Sequence, residues 1–174
     1  MTIASRDLTL REGRVVHVRP VEPGDEAEIL QAFERMSEQA RYLRFMRVVR
    51  QPDQQRLHSV IASFPDQGIG VVATVPAVDG IDIVGSAIAV FDRDRVGCEF
   101  AVTVSDAFGG AGLATELMTS IIDEAARLGL KEMTGYVLAQ NKPMLHLARR
   151  LGFQIEFEPG DASVRICRMT LRNP

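Results

Sequence analysis

A run of small residues, Gly-Gly-Ala-Gly at 109–112, separates a strand-like apolar segment at 96–104 from a helical pattern at 113–128. In the order strand, bend, helix, the unpaired N–H groups of the first helical turn point back toward the bend. Small side chains let an anion approach the main chain there, and the helix dipole adds roughly half a positive charge. The segment therefore predicts an α/β arrangement in which the strand and the helix hold a phosphate group between them.

Other glycine-rich loops also bind nucleotides, and the residues around this one argue against two of them. A nucleoside-triphosphate loop needs a Lys followed by Ser or Thr at the helix start, whereas Leu-Ala-Thr stands at 113–115. A dinucleotide fingerprint is partly matched by Gly110 and Gly112, with Glu132 some twenty residues further on, but its third small position is Thr115. On this loop alone, the remaining alternative is a turn that only packs a helix on a strand.

The bulk properties of the chain narrow its class. Its 174 residues suit one domain, so we expect a single domain over residues 1–174. No apolar run approaches the roughly 18 residues that span a bilayer, and residues 1–11 lack the apolar core of a signal peptide. The net charge of −3 lacks the basic surplus of a nucleic-acid binder, and the two cysteines are not spaced like metal ligands. We therefore expect a cytoplasmic protein that uses no metal and binds neither nucleic acid nor membrane.

Periodicity along the chain predicts helices and strands in alternation. Gly13 supplies the positive φ of a hairpin turn between two short strands within 8–19. Helical spacing and capping residues predict helices at 24–36, at 37–46, from 52 onward, at 113–128 and at 142–151. Strand-like runs occupy 69–75, 81–91, 96–104, 132–138, 153–157 and 164–171. The expected fold class is α/β, as an α+β mixed sheet: a single domain with six to seven largely antiparallel strands flanked by helices.

Residues 104–118 resemble the acyl-CoA-binding motif of the GNAT superfamily of N-acetyltransferases, in which Gln/Arg-x-x-Gly-x-Gly/Ala opens a helix. Gly112 and Ala114 match the last two positions of that pattern. Gly109 stands where the family has Gln or Arg, and Ala111 stands where a basic residue is common. The resemblance implies a GNAT-like fold and acetyl-CoA as the acyl donor. The departures leave the pyrophosphate with backbone donors but fewer side-chain contacts, so they predict a lower cofactor affinity.

A second stretch, from Asn141 to Phe153, resembles the later family motif, in which an Asn opens a helix that ends at Leu-Gly-Phe and lies along the cofactor. An Asn at this place is also an ordinary helix cap. Arg19-Pro20 and Asp25 resemble the family's usual first strand and helix, so the likeness covers nearly the whole chain. The cofactor-binding residues that the resemblance implies are Val102, Val104, Gly109, Gly110, Ala111, Gly112, Leu113, Ala114, Thr115, Asn141 and Met144.

Within the superfamily, the chain is most similar to bacterial protein-lysine acetyltransferases of the Pat type. These share the run Val-Leu-Ala-x-Asn-x-x-Met-Leu-x-Leu-Ala-Arg-Arg-Leu-Gly-Phe at 137–153 and the Arg-Tyr-Leu-Arg-Phe segment at 41–45. The resemblance implies an N-acetyltransferase whose acceptor is a protein lysine, such as one on an acyl-CoA synthetase. Two alternatives stay open: a small amine as the acceptor, and a CoA-sensing or partner-binding module without turnover.

Glu99 is the candidate general base. Transfer to an amine needs the neutral nitrogen, yet only about one lysine in 2,500 is deprotonated at pH 7. Glu99 lies in an otherwise apolar strand, where removal from water would make a carboxylate more basic. The GNAT enzymes that this sequence resembles carry Glu at the matching place in Glu-Phe-Ala-Val. The alternative is a carboxylate on the open face of an edge or splayed strand.

Three further side chains bear on the chemistry. Many family members protonate the departing thiolate with a Tyr whose matching position here is Ala148, so water is expected to supply that proton. Cys98 beside Glu99 suggests a covalent acyl intermediate, although a small buried hydrophobe is the commoner role of such a Cys. Tyr136, inside a strand, is expected in the core.

Acceptor recognition is indicated by a basic pattern in the first third of the chain. Arg41, Arg44, Arg47 and Arg50 recur at every third residue. This spacing predicts a basic ribbon along a helix near the acceptor, and the alternative is a solvated helix face.

Overall fold

The computed structural model describes residues 3–172, in which one mixed sheet carries helices on both faces. Its strands are β1 (Arg6–Thr9), β2 (Val15–Pro20), β3 (Gly68–Ala77), β4 (Gly80–Phe91), β5 (Gly97–Val104), β6 (Glu132–Leu138), β7 (Gln154–Glu158) and β8 (Asp161–Thr170). Its helices are α1 (Glu26–Arg35), α2 (Glu38–Phe45), α3 (Gln54–Ala62), α4 (Leu113–Arg127) and α5 (Lys142–Leu151), with short 3-10 turns at Pro23–Asp25 and Asp106–Phe108.

The strands lie in the order β1-β2-β3-β4-β5-β6-β8-β7, and β5 with β6 is the parallel pair among otherwise antiparallel neighbours. This arrangement confirms the mixed, largely antiparallel sheet expected from the sequence. Within residues 3–172 the sheet has eight strands rather than the six or seven expected, because the short end strands β1 and β7 both pair with it. Strands of four and five residues carry too little alternation for sequence to decide whether they join a sheet.

Most elements begin and end within about two residues of the expected bounds. Ser37 caps α2, since its side chain accepts the N–H of Ala40. The first helix begins at Glu26 rather than at residue 24, because Pro23–Asp25 forms a separate 3-10 turn. The last strand begins at Asp161 rather than at residue 164, because β7 and β8 stay paired almost to the turn that joins them.

The helices divide between the two faces of the sheet. Gly85 of β4 faces α4, and a Cβ built on it would lie 2.9 Å from the side chain of Leu117. Thr103 of β5 accepts a hydrogen bond from Arg44 of α2 at 3.0 Å. Gly85 pairs with Val104, the neighbour of Thr103, and successive side chains of a strand point to opposite faces. Therefore α4 and α2 cover opposite faces of the sheet.

The core lies chiefly between the sheet and α4. Leu117, Ile121 and Ala125 of this helix are fully buried. Their spacing of four residues keeps them in line along the helix, so one stripe can pack on the sheet. This packing positions the N-terminus of α4 at the glycine-rich bend.

The central strands β5 and β6 pair only where they begin. Their parallel register runs from Gly97 opposite Glu132 to Glu99 opposite Thr134 and stops there. In contrast, β5 stays paired with β4 as far as Val104. Beyond Glu99 the two central strands diverge, which leaves a gap in the sheet next to the glycine-rich bend.

Arg19 and Asp25 form a buried ion pair at the start of α1. Two hydrogen bonds of 2.7 Å join the guanidinium to both carboxylate oxygens, and the N–H of Glu22 donates to the same carboxylate at 2.8 Å. Burial by itself would raise the pKa of Asp25, but the bonds from Arg19 and Glu22 outweigh it and hold the pKa below its ordinary value. The pair ties the end of β2 to the first helical segment.

Replacing Asp25 with Asn is expected to lower the free energy of unfolding by about 3 kcal/mol, because Arg19 would lose its charged partner in a buried place. Since the folded pKa lies below the unfolded one, the stabilisation is complete above the unfolded pKa, about 4, and is lost as the pH falls through the folded pKa. Urea denaturation of both proteins between about pH 7 and about pH 3 measures the effect. Asp66→Asn, at an exposed residue that forms no ion pair within residues 3–172, is the control, with an expected change below about 0.5 kcal/mol. A loss of the same size at every pH would contradict this explanation.

Candidate active site

The gap between β5 and β6 exposes main-chain polar groups on its β5 side. The N–H of Ser105 bonds to a carbonyl of β4 at 2.9 Å. Successive residues of a strand turn their peptide groups to opposite sides, so odd-numbered residues of β5 bond to β4. The N–H of Lys131, which bonds to the carbonyl of Val96 on the other side at 2.7 Å, fits the same alternation. The peptide groups of Val102 and Val104 therefore face the gap.

The β6 side of the gap is lined in the same way. The N–H of Ala139 bonds to the carbonyl of Ser163 at 2.8 Å, so odd-numbered residues of β6 bond to β8. The peptide group of Tyr136 therefore faces the gap. Two unpaired strand edges suit an extended ligand that carries amides, because it can take the place of a missing strand. The pantetheine arm of CoA has this chemistry.

The glycine-rich bend brings main-chain donors to the open end of the gap. Gly112 is the N-cap of α4, and among the described residues no side chain caps this helix. Gly110 and Gly112 have φ angles of +73° and +91°, a conformation that residues with side chains rarely adopt. The first helical turn leaves its N–H groups without helical acceptors, so they point into the bend and are available to an anion. The residues present fit a pyrophosphate at this place.

Gly109 and Ala111, the two departures from the family motif, differ in their surroundings. Gly109 has an ordinary φ of −65°, so its backbone does not require a glycine. Ala111 is buried, and its carbonyl accepts the N–H of Arg11 at 3.4 Å. The backbone therefore allows a basic side chain at 109, whereas one at 111 would meet the hairpin between β1 and β2.

A groove of about 440 Å³ runs from the bend along the open part of β5 to the start of α5. All of the predicted cofactor-binding residues line it except Ala111. They are Val102, Val104, Gly109, Gly110, Gly112, Leu113, Ala114, Thr115, Asn141 and Met144. The fold thus brings both sequence motifs to one groove, and contact of these residues with a cofactor stays a prediction.

Asn141 also has the capping role that its position suggests. Its side-chain oxygen accepts the N–H of Met144 at 3.3 Å, at the first turn of α5. Both residues nevertheless line the groove. The two expectations for this Asn are therefore compatible.

Glu99 lies at the apex of the gap and outside the groove. It is the last residue of β5 that pairs with β6, and its side chain shares the face of Thr103, toward α2. The residue is exposed, so the removal from water expected in an apolar strand is not found. Its surroundings match the alternative, a carboxylate on the open face of a splayed strand. A role as general base stays a prediction.

The prediction that the four arginines form a basic ribbon along one helix is wrong. Helix α2 ends at Phe45, so Arg47 and Arg50 lie beyond it. Arg41 donates to the carbonyls of residues 33 and 34 at the end of α1, at 3.2 and 2.9 Å. Among these four arginines, all within the described residues, only Arg44 lines the groove.

Arg44 places a positive charge beside β5. Its Nε donates to Oγ1 of Thr103 at 3.0 Å, and its guanidinium lies 4.8 Å from the ring centre of Phe45. Burial lowers the pKa of Arg44 to about 10, repulsion from Arg56 adds to the decrease, and attraction to Glu99 opposes it. Arg44 therefore remains protonated at neutral pH.

Cys98 has the properties of a buried hydrophobe. Its side chain is 1% exposed, and its thiol donates weakly to the carbonyl of Glu132 at 3.7 Å. Burial raises the pKa of Cys98 to about 12, and the negative charge of Asp92 adds to the increase. Burial likewise raises the pKa of Cys167 to about 11. Thiolate is therefore scarce at neutral pH, which argues against a covalent acyl intermediate on either residue.

The sequence also gave expectations for two further residues, Ala148 and Tyr136. Ala148, at the place of the family's acid, is fully buried in the core, and its methyl side chain cannot donate a proton. Tyr136 is 44% exposed, so its expected place in the core is wrong. Its side chain lies on the same face as Thr134, which pairs with Glu99, since the two are separated by two residues. The alternation of side chains along β6 indicates this exposure, because Met133 and Val137 occupy the buried face and Tyr136 lies on the opposite one.

Sequence reasoning missed several side chains of the groove, among them Arg11, Phe108 and Arg150. Arg150 lies three residues after Leu147, which also lines the groove. Residues at this spacing share one face of a helix, so the helical pattern of α5 could have indicated Arg150. Phe108 belongs to the short turn before the bend. Arg11 comes from the turn between β1 and β2, far from the motif in sequence, and no local pattern pointed to it.

Two other expectations concern membranes and metals. Within residues 3–172 no helix is both long and apolar enough to cross a bilayer. In the same residues, no three His, Cys, Asp or Glu side chains come together in a group that could hold a metal ion. The cytoplasmic location stays a prediction.

Comparison with known proteins agrees with this geometry. The family model of the acetyltransferase (GNAT) domain matches residues 16–154. The acetyltransferase PA5475 of Pseudomonas aeruginosa is 30% identical over 163 residues, which are 94% of this chain and 88% of that protein. The acetyltransferase Pat of Mycolicibacterium smegmatis is 28% identical over 144 residues, which are 82% of this chain but only 42% of that protein.

Known structures show the same fold. The GNAT domain of S. lividans PAT superposes with a TM-score of 0.85 at 20% identity, covering 96% of this chain and 97% of that one. A phosphinothricin acetyltransferase of Sinorhizobium meliloti, in complex with acetyl-CoA, superposes with a TM-score of 0.71 at 17% identity, covering 90% and 89%. At these identities the likeness concerns the fold.

Proposed function

Because this chain belongs to the GNAT family of acetyltransferases, we propose that it transfers the acetyl group of acetyl-CoA to the amine of a protein lysine, with residues 1–174 as one catalytic domain in the cytoplasm. Acetyl transfer from acetyl-CoA is the activity of the family, and members of this fold bind acetyl-CoA. The choice of a protein lysine as the acceptor goes beyond the activity that family membership gives. The observation that carries it is the gap between β5 and β6, which opens beside exposed residues on the part of the sheet face that α2 does not reach.

This face is formed by exposed residues of three neighbouring strands. Val90 is 37% exposed and pairs with Glu99, which in turn pairs with Thr134. Tyr136 shares the face and is also exposed. An enclosed pocket would admit only a small amine, whereas an open face lets a lysine on a folded polypeptide reach the gap. The resemblance to Pat-type protein-lysine acetyltransferases favours the same acceptor.

The bend and the gap would hold the two ends of the cofactor. The N–H groups of residues 110–115 would bind the pyrophosphate, and the peptide groups of Val102 and Val104 would bind the amides of the pantetheine arm. This direction leads the acyl end toward the apex of the gap near Glu99. Acetyl-CoA supplies a thioester, whose carbonyl carbon is the atom that the amine attacks.

Glu99 would accept the proton of the attacking amine through a water molecule. It lies three residues before Val102, roughly 10 Å along the strand, and a water molecule would relay the proton from the amine to the carboxylate. As the N–C bond forms, the C–S bond breaks and the sulfur leaves as a thiolate. Because Ala148 is buried in place of an acid, water protonates the thiolate. A thiol pKa near 8.5 makes this route feasible.

A calorimetric titration with acetyl-CoA, followed by a thiol-release assay, tests the proposal. The acceptors are lysine peptides, a folded acyl-CoA synthetase, and a panel of small amines that includes amino acids. Thiol release with the lysine acceptors and an acetyl group on a lysine in mass spectra are expected. Release with small amines alone would reject the protein acceptor. Binding without release would indicate a CoA-sensing module, and no binding would reject both.

One observation favours a second candidate, a small amine that carries a carboxylate. Arg44 lines the groove, and within residues 3–172 no acidic side chain forms an ion pair with it. A guanidinium binds a carboxylate through two parallel hydrogen bonds and repels an ammonium group. An amino acid that is acetylated on its α-amine would pair its carboxylate with the guanidinium of Arg44.

Arg44→Gln separates the two acceptors. For an amino acid acceptor, KM is expected to rise about tenfold with little change in kcat, because a charge-assisted contact made in the ground state is lost. For a lysine peptide, KM is expected to stay the same or fall. Steady-state kinetics measure both, and Arg47→Gln, beyond the end of α2, is the control. Equal effects on both acceptors would give Arg44 no part in choosing between them.

A further inference from the structure

We infer that Arg11, in the turn between β1 and β2, binds the pyrophosphate of the cofactor and replaces the basic side chain that the bend lacks at Gly109. This inference rests on the use of acetyl-CoA and on the placement of its pyrophosphate at the bend. It concerns a residue outside the part of the chain that the family model matches, residues 16–154.

Arg11 lies beside the bend. The place that a Cβ would take on Gly112 is 3.5 Å from Nε of Arg11 and 4.0 Å from Nη2. The main-chain N–H of Arg11 bonds to the carbonyl of Ala111 at 3.4 Å, which holds the residue against the bend. Arg11 also lines the groove together with Gly110 and Gly112. An anion that binds to the N–H groups of the bend would therefore lie within reach of this guanidinium.

The hairpin that carries Arg11 is anchored by two further arginines, Arg14 and Arg6. Arg14 donates to the carbonyl of Ala107 at 2.7 Å, and its guanidinium lies 4.0 Å from the ring centre of Phe108, directly before the bend. Arg6 donates to the hydroxyl of Ser120 on α4 at 3.2 Å. These contacts fix the hairpin on both sides of the glycine-rich bend. The hairpin therefore holds Arg11 near the bend, although within residues 3–172 its guanidinium makes no hydrogen bond or ion pair.

Arg11 differs from these neighbours because its guanidinium has no partner within the described residues. Arg14 is paired with Glu12 at 2.7 Å, and Arg6 approaches Glu116 at 3.6 Å. Because the nearby carboxylates have these partners, the charge of Arg11 remains available for a ligand. A charge-assisted hydrogen bond to a phosphate oxygen is the contact that its position allows.

Arg11→Gln tests this role with three acyl donors. Its Kd for acetyl-CoA and for acetyl-dephospho-CoA is expected to rise about tenfold, because both compounds carry the pyrophosphate. The kcat/KM for S-acetylpantetheine, which carries no phosphate, is expected to stay unchanged. Arg11→Lys is expected to lose less affinity, since it keeps the charge. Arg93→Gln, in the exposed turn between β4 and β5, is the matched control.

The possible results distinguish a failure of the inference about Arg11 from a failure of the proposed acetyltransferase function. Wild-type protein that fails to bind acetyl-CoA would reject the proposed function itself. Normal wild-type binding with an unchanged Arg11→Gln would reject only the role of Arg11. An equal loss with S-acetylpantetheine would show a structural effect, and a loss confined to donors with the 3′-phosphate would assign Arg11 to that phosphate. Either result would overturn the inference.

Gly109→Arg supplies an independent test. If Arg11 occupies the place of the missing side chain, Gly109→Arg should restore most of the affinity lost in Arg11→Gln. In the wild-type background the same change should tighten binding less, because the two cations would share one pyrophosphate. The ordinary φ of Gly109 allows this substitution without backbone strain. Equal gains in both backgrounds would mean that the two residues act at separate places.

Discussion

Gly112→Asp is expected to abolish measurable binding of acetyl-CoA, with a rise in Kd of at least about a hundredfold. The carboxylate would stand in the bend, where it repels the phosphates and can pair with Arg11, whose Nε lies 3.5 Å from the new Cβ. The φ of +91° also disfavours any side chain at this residue. Calorimetric titration measures the loss, and circular dichroism shows whether the protein remains folded.

Two control variants distinguish the effect of the added charge on binding from the effect of backbone strain. Gly112→Ala imposes the strain without the charge, so it should bind acetyl-CoA more weakly than wild type but far better than Gly112→Asp. Gly129→Asp introduces the same side chain at a φ of +84°, just beyond the other end of α4, where open space surrounds it. That variant should lose stability and keep its affinity. Unchanged binding in Gly112→Asp would reject the placement of the pyrophosphate at the bend.

Glu99→Gln is expected to reduce kcat by roughly a hundredfold or more while the affinity for acetyl-CoA stays within about twofold. The carboxylate lies at the apex of the gap and outside the groove, so its loss should not disturb the cofactor. The ratio of wild-type to mutant rates should fall steadily as the pH rises. Near the pKa of the amine, neutral acceptor is plentiful without a base.

Rates of both enzymes between about pH 6.5 and about pH 9.5 measure this ratio. Glu156→Gln, on the same face of the sheet but on β7, is the matched control and should leave kcat unchanged. A Glu that only positions the acceptor would act chiefly through the KM of the acceptor and would give a ratio that does not depend on pH. That result would remove Glu99 from the role of base.

The helix and bend that form the groove could be predicted from local sequence. Residues 109–112 bring together small side chains and positive φ, and the apolar spacing after Leu113 marks the helix. Both features depend on residues close together in the chain, so a short window contains them. The same holds for Asn141 as the first residue of the second motif, since a helix cap is a local interaction.

The position of Glu99 could not be predicted in the same way. Its apolar neighbours in sequence suggested burial, but alternation along β5 directs its side chain to the other face, away from α4. Whether that face is covered depends on the end of α2 and on the divergence of β6, which lie in distant parts of the chain. The basic ribbon failed for a related reason, because the spacing of arginines continues past the last residue of the helix.

By itself, the sequence determined the order of helices and strands, the glycine-rich bend before α4 and the family, because each rests on periodicity or on residues within one short segment. Only the tertiary structure decided which side chains meet at the bend. The hairpin of β1 and β2 crosses the start of α4 and brings Arg11 to Gly112, about a hundred residues later in the chain. Such a contact depends on how elements pack across the sheet, and packing between distant segments leaves no pattern in either segment alone.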